Sequence, residues 1–399
     1  MTHYSIIIKP TKYKRMDKNM ELKEYRGKID KIDRELVKLF KERMEISSEI
    51  AQCKRENGLP VYDPAREREK LASVAESLPE EFKTYGDSLY SLLFELSRSY
   101  QRKNTGVDSE ISAKIKSAVE NTPKEFPQRA LVACQGVEGS FSSQACDKMF
   151  KTADIMYFNS FEGVFSAIDN GLCAYGVIPL ENSTAGSVNR VYDLMMKYDF
   201  SIAKSVRVKV DHSLLANKGV KLEDIKEVFS HSHAIAQCEN FLKGLPGVKV
   251  TPCENTATAA KMIFESGRTD AAAISSDICS EIYGLNRLCD SIQDTSNNYT
   301  RFICISKKLE IYPGADRTSI MMVLKHRPGS LYNVLSRFYA LGINLLKLES
   351  RPLPNSDFEF MFYFDIETSV YSKEFIELFN DIEGMCSKFK YLGSYTEEK

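Results

Sequence analysis

Apolar residues recur at alternating intervals of three and four over the first long segment of the chain. The positions are Leu22, Tyr25, Ile29, Ile32, Leu36, Leu39, Ile46 and Ile50. This spacing places all of them on one face of an α-helix, whereas a strand would divide them between two faces. The pattern therefore predicts a long amphipathic helix.

Cationic residues interrupt or border this apolar stripe. Arg43 occupies a seam position, and Arg26 and Lys54 each lie four residues beyond an apolar one. For any one of them, a long side chain that snorkels past the apolar surface is an equally good explanation. Three cations on one stripe favour a helical bundle whose core binds an anion.

Helix geometry limits how many of these cations can serve one ligand. Arg43 and Lys54 are eleven residues apart on a shared face, a rise of roughly 16 Å, so their long side chains can grip one small ligand. Arg26 is seventeen residues, or roughly 25 Å, from Arg43. Either Arg26 reaches the site of a second copy of the chain, which we favour, or it is structural.

Two further helices are predicted downstream. Residues 57–60 (Asn-Gly-Leu-Pro) end the first helix, and Asp63-Pro64 opens the second with a cap-then-proline signal. A third helix is predicted over about 81–103, where Ser97 and Gln101 share one face at i and i+4.

The polar residues of these helices resemble those of the all-helical chorismate mutase family over about residues 20–105. The matching positions are Arg26, Arg43, Lys54, Asp63, Arg66, Glu67, Ser97 and Gln101. The resemblance implies an intertwined three-helix dimer that rearranges chorismate to prephenate without a cofactor. Such an enzyme holds a dicarboxylate in a folded chair and stabilises negative charge growing on the ether oxygen.

The same resemblance implies residue roles. Arg26 of a second subunit and Arg43 bind carboxylates, with help from Ser97, whereas Lys54 and Gln101 donate to the ether oxygen.

The beginning of the second helix also has implied roles. Asp63 and Glu67 address the region of the ring hydroxyl, and Arg66 helps with the ring carboxylate or holds Glu67.

Length and composition limit the other possibilities. The chain of 399 residues is long enough for several domains, and a hydrophobic content of 43% is globular. A formal charge of −1 argues against nucleic-acid or membrane-surface binding carried by bulk charge. Ten cysteines without a CxxC pair exclude the common zinc and redox motifs and fit a reducing cytoplasm. No apolar run approaches the roughly 20 residues that span a bilayer, and residues 1–18 are expected to be a disordered extension.

A different pattern begins at Arg129, after a polar linker or docking helix predicted over 106–128. Strand-like and helix-like segments alternate, with polar residues at the strand ends, which predicts an α/β fold with ligands at that edge. The turn 138–142 (Glu-Gly-Ser-Phe-Ser) can present N–H groups to an anion, but the lack of a GxGxxG motif weighs against a nicotinamide-dependent dehydrogenase. His231 and His233 are predicted to start a helix, because no acidic or cysteine residue has the spacing of a metal partner.

The stretch 298–302 (Asn-Tyr-Thr-Arg-Phe) leads into apolar, β-prone residues that predict a buried strand. Thr300 and Arg301 therefore stand at a strand entrance, where a hydroxyl and a guanidinium suit the floor of a cleft. Taken alone, an ordinary β-forming threonine beside a surface-paired arginine is the favoured interpretation.

Polar motifs elsewhere in this segment change that balance. They are 138–142, 179–183 (Pro-Leu-Glu-Asn-Ser), 229–231 (Phe-Ser-His) with Gln237, and 292–294 (Ile-Gln-Asp), and they join the stretch 298–302 itself. Their order resembles the prephenate dehydratase family over about residues 129–307. The resemblance implies two α/β lobes, as in periplasmic binding proteins, with a site between them that removes water and carbon dioxide from prephenate to give phenylpyruvate.

The resemblance also implies roles within this site. Thr300 hydrogen-bonds the leaving oxygen as a positioned donor, since a threonine hydroxyl is a poor free acid. The other residues expected to line the site are Asn182, Ser230, Gln237, Glu181 and Ser140. Arg301 either binds a substrate carboxylate or braces the loop, and the sequence favours neither role.

Residues 317–395 are predicted to fold in the order βαββαβ, which is ferredoxin-like. Two motifs resemble the phenylalanine-binding motifs of ACT regulatory domains, although Ser330 replaces the usual alanine and Tyr332 the usual valine. The expected phenylalanine contacts are Gly329, Ser330, Leu331, Glu349, Ser350, Arg351 and Pro352. Such domains pair across subunits, so the resemblance implies a homodimer or homotetramer inhibited by phenylalanine.

Together the three segments resemble the bifunctional P-protein family, in which a chorismate mutase, a prephenate dehydratase and an ACT domain follow one another. One alternative is a dehydratase whose mutase-like segment serves only for dimerisation. Another is a non-catalytic amino-acid sensor, although a sensor has no need of the donor Thr300. Residues 306–317 join the catalytic strand directly to the C-terminal segment, so a shift of that segment has a short path to Thr300.

Overall fold

The computed structural model describes residues 22–59, 63–105, 110–324, 326, 328–353, 359–382 and 385–398. The predicted N-terminal extension and Arg327 of the first ACT-like motif lie outside these ranges. The chain divides into two compact units, residues 1–107 and 108–399. Within the described ranges, no helix is long and apolar enough to cross a membrane.

The N-terminal unit is helical, as predicted. Its described residues form α1 (Leu22–Glu56), α2 (Pro64–Ser77), a short 3₁₀ turn (Glu80–Phe82) and α3 (Lys83–Thr105). Asp63 is the N-cap of α2, where its side chain accepts from the Arg66 N–H at 3.1 Å, so the predicted cap is confirmed.

The apolar stripe of α1 is largely uncovered within this one chain. Ile32 is 61% exposed and Leu36 is 57% exposed, although both belong to the predicted buried seam. Apolar side chains at such spacing gain roughly 1.5–3 kcal/mol each from burial. An exposed apolar stripe of this length is typical of an interaction surface.

The C-terminal unit begins with a two-lobed α/β domain, as predicted. The elements that begin in its first lobe are α4 (Glu110–Asn121), β1 (Arg129–Gln135), α5 (Phe141–Met149), β2 (Thr152–Phe158), α6 (Phe161–Asp169), β3 (Tyr175–Asn182), β4 (Gly186–Ser187), α7 (Asn189–Lys197) and β5 (Ser201–Lys209). The chain then crosses to a second lobe made of β6 (Ser213–Ala216), β7 (Glu227–His231), α8 (Ser232–Gln237), α9 (Glu239–Lys243), β8 (Lys249–Cys253), α10 (Thr256–Ser266), β9 (Ala271–Ser275), α11 (Ile278–Tyr283) and β10 (Asn286–Cys289). It returns to the first lobe as β11 (Tyr299–Ser306).

The returning strand lies in the middle of the first sheet. β11 runs antiparallel to both β3 and β5, and Phe302 to Ser306 are buried. The predicted core strand is therefore confirmed, and its N-terminal end emerges where the chain enters from the second lobe.

The last domain has the predicted βαββαβ order. Its elements are β12 (Arg317–Leu324), α12 (Ser330–Ala340), β13 (Asn344–Pro352), β14 (Phe360–Glu367), α13 (Lys373–Ile382) and β15 (Cys386–Tyr395), followed by the short β16 (Glu397–Glu398). The sheet order is β13-β14-β12-β15. One face packs on the first lobe, where Met321 and Tyr363 share a core with Ile178 and Tyr192.

Two further contacts join this domain to the rest of the unit. Helix α4 lies in the predicted linker and packs Ile115 into the core under α12 and α13, so the linker contains a docking helix. Strand β16 pairs with β5, and a Cβ on Gly393 (φ +138°) would lie 2.4 Å from the Ile202 carbonyl oxygen. Only glycine permits so close an approach between β15 and the first sheet.

Candidate active sites

Thr300 and Asn182 face each other across two neighbouring strands. The register of β11 and β3 pairs these two residues directly, and the Asn182 amide nitrogen donates to Thr300 Oγ1 at 2.9 Å. Because antiparallel pairing fixes their separation, the strand ends alone bring together residues that are 118 positions apart.

The orientation of the Asn182 amide follows from its other contacts. Its Oδ1 accepts from the backbone N–H groups of Thr184 (3.0 Å) and Ala185 (2.8 Å), so its nitrogen must face the opposite way. There it donates to Thr300 and to Asn298 Oδ1 at 2.8 Å. Thr300 Oγ1 is therefore an acceptor toward Asn182, which leaves its hydroxyl proton for a different acceptor.

The same network continues into the second lobe. Asn298 donates to Gln237 Oε1 at 3.1 Å, and the Gln237 amide nitrogen donates to Thr184 Oγ1 at 3.0 Å. His212 Nε2 also lies 3.1 Å from Gln237 Oε1 and acts as the donor there. Burial lowers the pKa of His212, so the neutral ring with its proton on Nε2 is favoured.

Sequence reasoning missed part of this network. Asn298 belongs to the motif 298–302 but has no predicted role, and no pattern points to Thr184 or His212. Asn298 is 1% exposed, which explains its role as an internal hydrogen-bond link. Such a role depends on partners distant in sequence and leaves no local signal.

The glycine-rich turn 138–142 lies where the two lobes contact each other. Ser140 caps α5 by accepting from the Ser143 N–H at 3.2 Å, and Gly139 has φ +82°. The Gly139 carbonyl accepts from Ser276 Oγ of the second lobe at 2.9 Å. A Cβ on Gly139 would lie 2.7 Å from Cys279 Sγ, so the lobes meet here without room for a side chain.

Ser230, which is predicted to line the prephenate site, is held inside its own lobe. Its side chain is fully buried in β7 and donates to the Ile274 carbonyl at 2.7 Å. The alternation of the strand turns this side chain into the interior of the lobe.

Arg301 contacts protein partners, as the bracing alternative expects. Its side chain is 4% exposed and contacts Glu181, Asp365 and Tyr395. Burial works to lower the pKa of Arg301, but its interactions with Tyr395 and with the charged Asp365 carboxylate outweigh burial and hold that pKa above its ordinary value. The guanidinium is thus fully committed to protein partners.

His231 is the N-cap of α8 and accepts from the His233 N–H, so the predicted helix start is confirmed. Among the residues with described positions, no group of three or more histidine, cysteine or acidic side chains is arranged to hold a metal ion.

In the helical unit, Arg43 and Ser97 are brought together. An Arg43 guanidinium nitrogen donates to Ser97 Oγ and to the Leu93 carbonyl at 3.2 Å, which links α1 to α3. Burial lowers the pKa of Arg43, although the group stays charged at any ordinary pH. Gln101, one turn beyond Ser97, is 7% exposed, and its Oε1 has no hydrogen-bond partner within the described ranges.

The cation that holds Glu67 is not the predicted one. Arg98 donates to Glu67 Oε1, whereas Arg66 is exposed and pairs with Glu69 at 2.7 Å. The possible role of Arg66 in holding Glu67 is therefore wrong. Arg98 directly follows Ser97, and helix α3 turns both side chains toward the other two helices.

The other two α1 cations predicted to bind the ligand, Arg26 and Lys54, lie near opposite ends of the helix. Arg26 is exposed and Lys54 is half-buried. Their separation of 28 residues, roughly 42 Å of helix, means that one chain cannot bring both to one small ligand.

The ACT-like motifs lie at one end of the C-terminal sheet. Met361 pairs with Val323 on one side and Arg351 on the other, so the end of β13 is level with the end of β12 that leads into α12. Gly329 (φ +83°) begins α12, and Ser350 and Pro352 are exposed.

Two charged residues of the second motif contact the dehydratase-like domain. Arg351 binds Asp193 at 3.0 Å, and Glu349 accepts from Ser187 at 2.6 Å. The remaining motif residues, Ser330 and Leu331, are half-buried.

Comparison with known proteins agrees with this architecture. A family model described as prephenate dehydratase matches residues 132–310, and one described as chorismate mutase type II matches residues 25–102. The bifunctional chorismate mutase/prephenate dehydratase of Aquifex aeolicus (strain VF5) is 31% identical, over 94% of this chain and 98% of its own length. Arogenate dehydratase/prephenate dehydratase 2, chloroplastic, of Arabidopsis thaliana is 38% identical over 67% of this chain and 73% of its own.

Solved structures match a similar share of the chain. The prephenate dehydratase of Arthrobacter aurescens in complex with L-Phe has a TM-score of 0.62 and 27% identity, over 67% of this chain and 90% of that one. GqqA, described as a novel type of quorum quenching acylase, has the same TM-score with 26% identity, over 67% of this chain and 98% of that one.

The fold and the similarities define a class of proteins in which a chorismate mutase-type helical unit precedes a prephenate dehydratase-type α/β domain. Nearly full-length similarity goes further, and the chain belongs to the bifunctional chorismate mutase/prephenate dehydratase family. It is an enzyme of phenylalanine biosynthesis with both activities, and the dehydratase-only alternative is not favoured.

Proposed function

We infer that Thr300 is the hydrogen-bond donor to the hydroxyl that leaves prephenate, and that Asn182 orients it. The observation that carries this assignment is the 2.9 Å bond from the Asn182 amide to Thr300 Oγ1. Because Oγ1 already accepts that bond, its proton is directed elsewhere. Donation into a hydroxyl oxygen also polarises its O–H bond and strengthens it as a donor.

A positioned donor suits this reaction. Carbon dioxide leaves from the ring carboxylate, the released electron pair completes the aromatic ring, and the ring hydroxyl departs and takes up one proton, ultimately from solvent, to become water. Aromatisation drives the change, so the protein has chiefly to stabilise charge on the departing oxygen. Asn182 uses its whole amide on protein partners, and we assign it an orienting role rather than a substrate contact.

For the helical unit we assign chorismate binding to the paired Arg43 and Ser97 and donation to the ether oxygen to Lys54 and Gln101. The buried Gln101 side chain supports a ligand contact, because its Oε1 has no hydrogen-bond partner among the described residues, and a flip of the carboxamide would present its N–H donors at the same place. We assign Glu67, which Arg98 holds, to the region of the ring hydroxyl of chorismate.

The uncovered stripe of α1 supports a homodimer or larger oligomer built on the same helix. Arg26 lies too far along α1 to contact the same ligand as Lys54 of its own chain. We therefore assign Arg26 to the site of the second copy. Dimerisation would then bury the exposed stripe and complete both sites at the same time.

A chorismate-only assay tests the two-site assignment in the full chain. The wild type should release phenylpyruvate. Thr300→Val, which keeps the shape but removes the hydroxyl, should accumulate prephenate, and Thr300→Ser should recover activity. Lys54→Ala should stop chorismate consumption but still convert added prephenate. Loss of both activities in either folded variant would refute the separation of the sites.

We also assign phenylalanine feedback to the C-terminal domain as an ACT domain. The level ends of β12 and β13 support this, since they place Gly329 and Arg351 at one end of the sheet. Titration calorimetry should detect phenylalanine binding, and phenylalanine should inhibit the dehydratase. Absence of binding together with insensitive activity would refute the assignment.

A further inference from the structure

A charged cluster lies buried between the dehydratase domain and the C-terminal sheet. At its centre, Arg301 of β11 donates to Asp365 of β14, which is fully buried. Asp365 also accepts from Ser319 and from Tyr363 at 2.5 Å. Burial raises the pKa of Tyr363 well above its ordinary value, so this phenol keeps the proton that it donates.

A second contact links the same domains through Glu181 of β3. Arg301 donates to Glu181 Oε1 at 3.2 Å, and Lys347 of β13 donates to Glu181 Oε2 at 2.5 Å. Lys347 also donates to Ser187 at 2.9 Å. Each oxygen of the Glu181 carboxylate therefore binds a different cation, one from the first lobe and one from the C-terminal domain.

These ion pairs lie one residue from the catalytic donor pair. In the register of β11 and β3, Thr300 pairs with Asn182, and the next row pairs Arg301 with Glu181. Successive residues of a strand point to opposite faces, about 3.3 Å apart along the strand. The donor pair thus points to the opposite face of the sheet from the charged row, which the C-terminal domain contacts.

We propose that Lys347 and Asp365 are positioning residues for the dehydratase reaction, acting through Glu181 and Arg301 on the row that holds Thr300. This inference rests on the proposed role of Thr300. The C-terminal sheet is then part of the catalytic scaffold, and it fixes where the Thr300 hydroxyl points. Lys347 lies two residues before Glu349 on β13, so a change in that strand reaches Glu181 directly.

Other contacts between the same domains provide an internal contrast. Lys390 of β15 donates to the Met195 carbonyl at 3.2 Å and lies 3.6 Å from Asp199. This lysine joins the C-terminal sheet to the end of α7, and its partners do not include the row beside Thr300. Positioning therefore predicts different effects from Lys347 and Lys390, whereas simple adhesion between domains predicts similar ones.

The test compares Lys347→Met with Lys390→Met in the full chain without phenylalanine. Lys347→Met should lower the dehydratase kcat about tenfold with KM changed less than twofold, because the donor acts mainly in the transition state. Lys347→Arg should restore most of the rate. Lys390→Met should retain wild-type kcat, and chorismate mutase activity should be unchanged in all three variants.

Glu181→Gln provides a second, conservative variant. It should lower kcat to a similar extent, and combining it with Lys347→Met should add little, because both changes break one pathway. Equal kcat in Lys347→Met and Lys390→Met, or fully additive effects with Glu181→Gln, would overturn the proposal. A wild-type chain that does not convert prephenate would instead refute the dehydratase assignment itself.

Discussion

Replacing Asn182 by aspartate reverses one hydrogen bond while keeping the shape of the side chain. The new carboxylate can still accept from the Thr184 and Ala185 N–H groups, so the turn after β3 should survive. It can no longer donate to Thr300 Oγ1. The threonine hydroxyl should then turn and donate to the carboxylate, and its proton is lost to the substrate.

The size of the effect follows from the contacts that change. Removing one donor to a developing oxyanion typically lowers kcat by about 10²–10³, or about 2.7–4 kcal/mol. The carboxylate also faces Asn298 Oδ1, which lies 2.8 Å from the present amide nitrogen. An acceptor left without its donor costs about 1–3 kcal/mol, so we expect a lower melting temperature as well.

Two measurements separate this explanation from general damage. Dehydratase kcat should fall by about 10²–10³, while mutase activity in the same preparation stays at the wild-type level. Relative to wild type, the dehydratase rate should rise as pH falls through the pKa of the new carboxyl, since its protonated form can again donate to Thr300. Enzyme-free decay of prephenate in acid is subtracted. A kcat within threefold of wild type, or no recovery in acid, would refute the orienting role of Asn182.

Three shorter predictions address other parts of the chain. Gly139→Ala should reduce dehydratase activity and cost about 1–3 kcal/mol of stability, measured by denaturant unfolding, because the new methyl meets Cys279 and φ is positive; unchanged stability would contradict the close lobe contact. Arg98→Met should lower mutase kcat/KM about tenfold, because the ion pair that orients Glu67 contributes roughly 1–2 kcal/mol, and dehydratase activity should be unaffected. Equal losses in both activities would argue against this role of Arg98. Leu36→Glu should shift the chain toward monomers in light scattering, since two buried leucines contribute about 3–6 kcal/mol to a symmetric dimer; an unchanged mass would remove this residue from the interface.

Local patterns were sufficient wherever one element supplies its own signal. Helix α1 follows from its apolar spacing, and the cap at Asp63 follows from an acidic residue before a proline. The buried strand after Thr300 and the βαββαβ order of the last domain also follow from local periodicity. An element that is buried on one or both faces needs apolar residues at the period of that element.

The roles of individual polar residues were decided by tertiary structure. The sequence favours neither a ligand-binding nor a bracing role for Arg301, because one of its partners, Asp365, is 64 residues away in another domain. Ser230 matched a motif but is turned into its lobe by strand alternation, and Arg98 rather than Arg66 holds Glu67. A local pattern predicts which side chains are present at a strand or helix end. Which partner each of them meets depends on the register and packing of distant elements, which no local pattern contains.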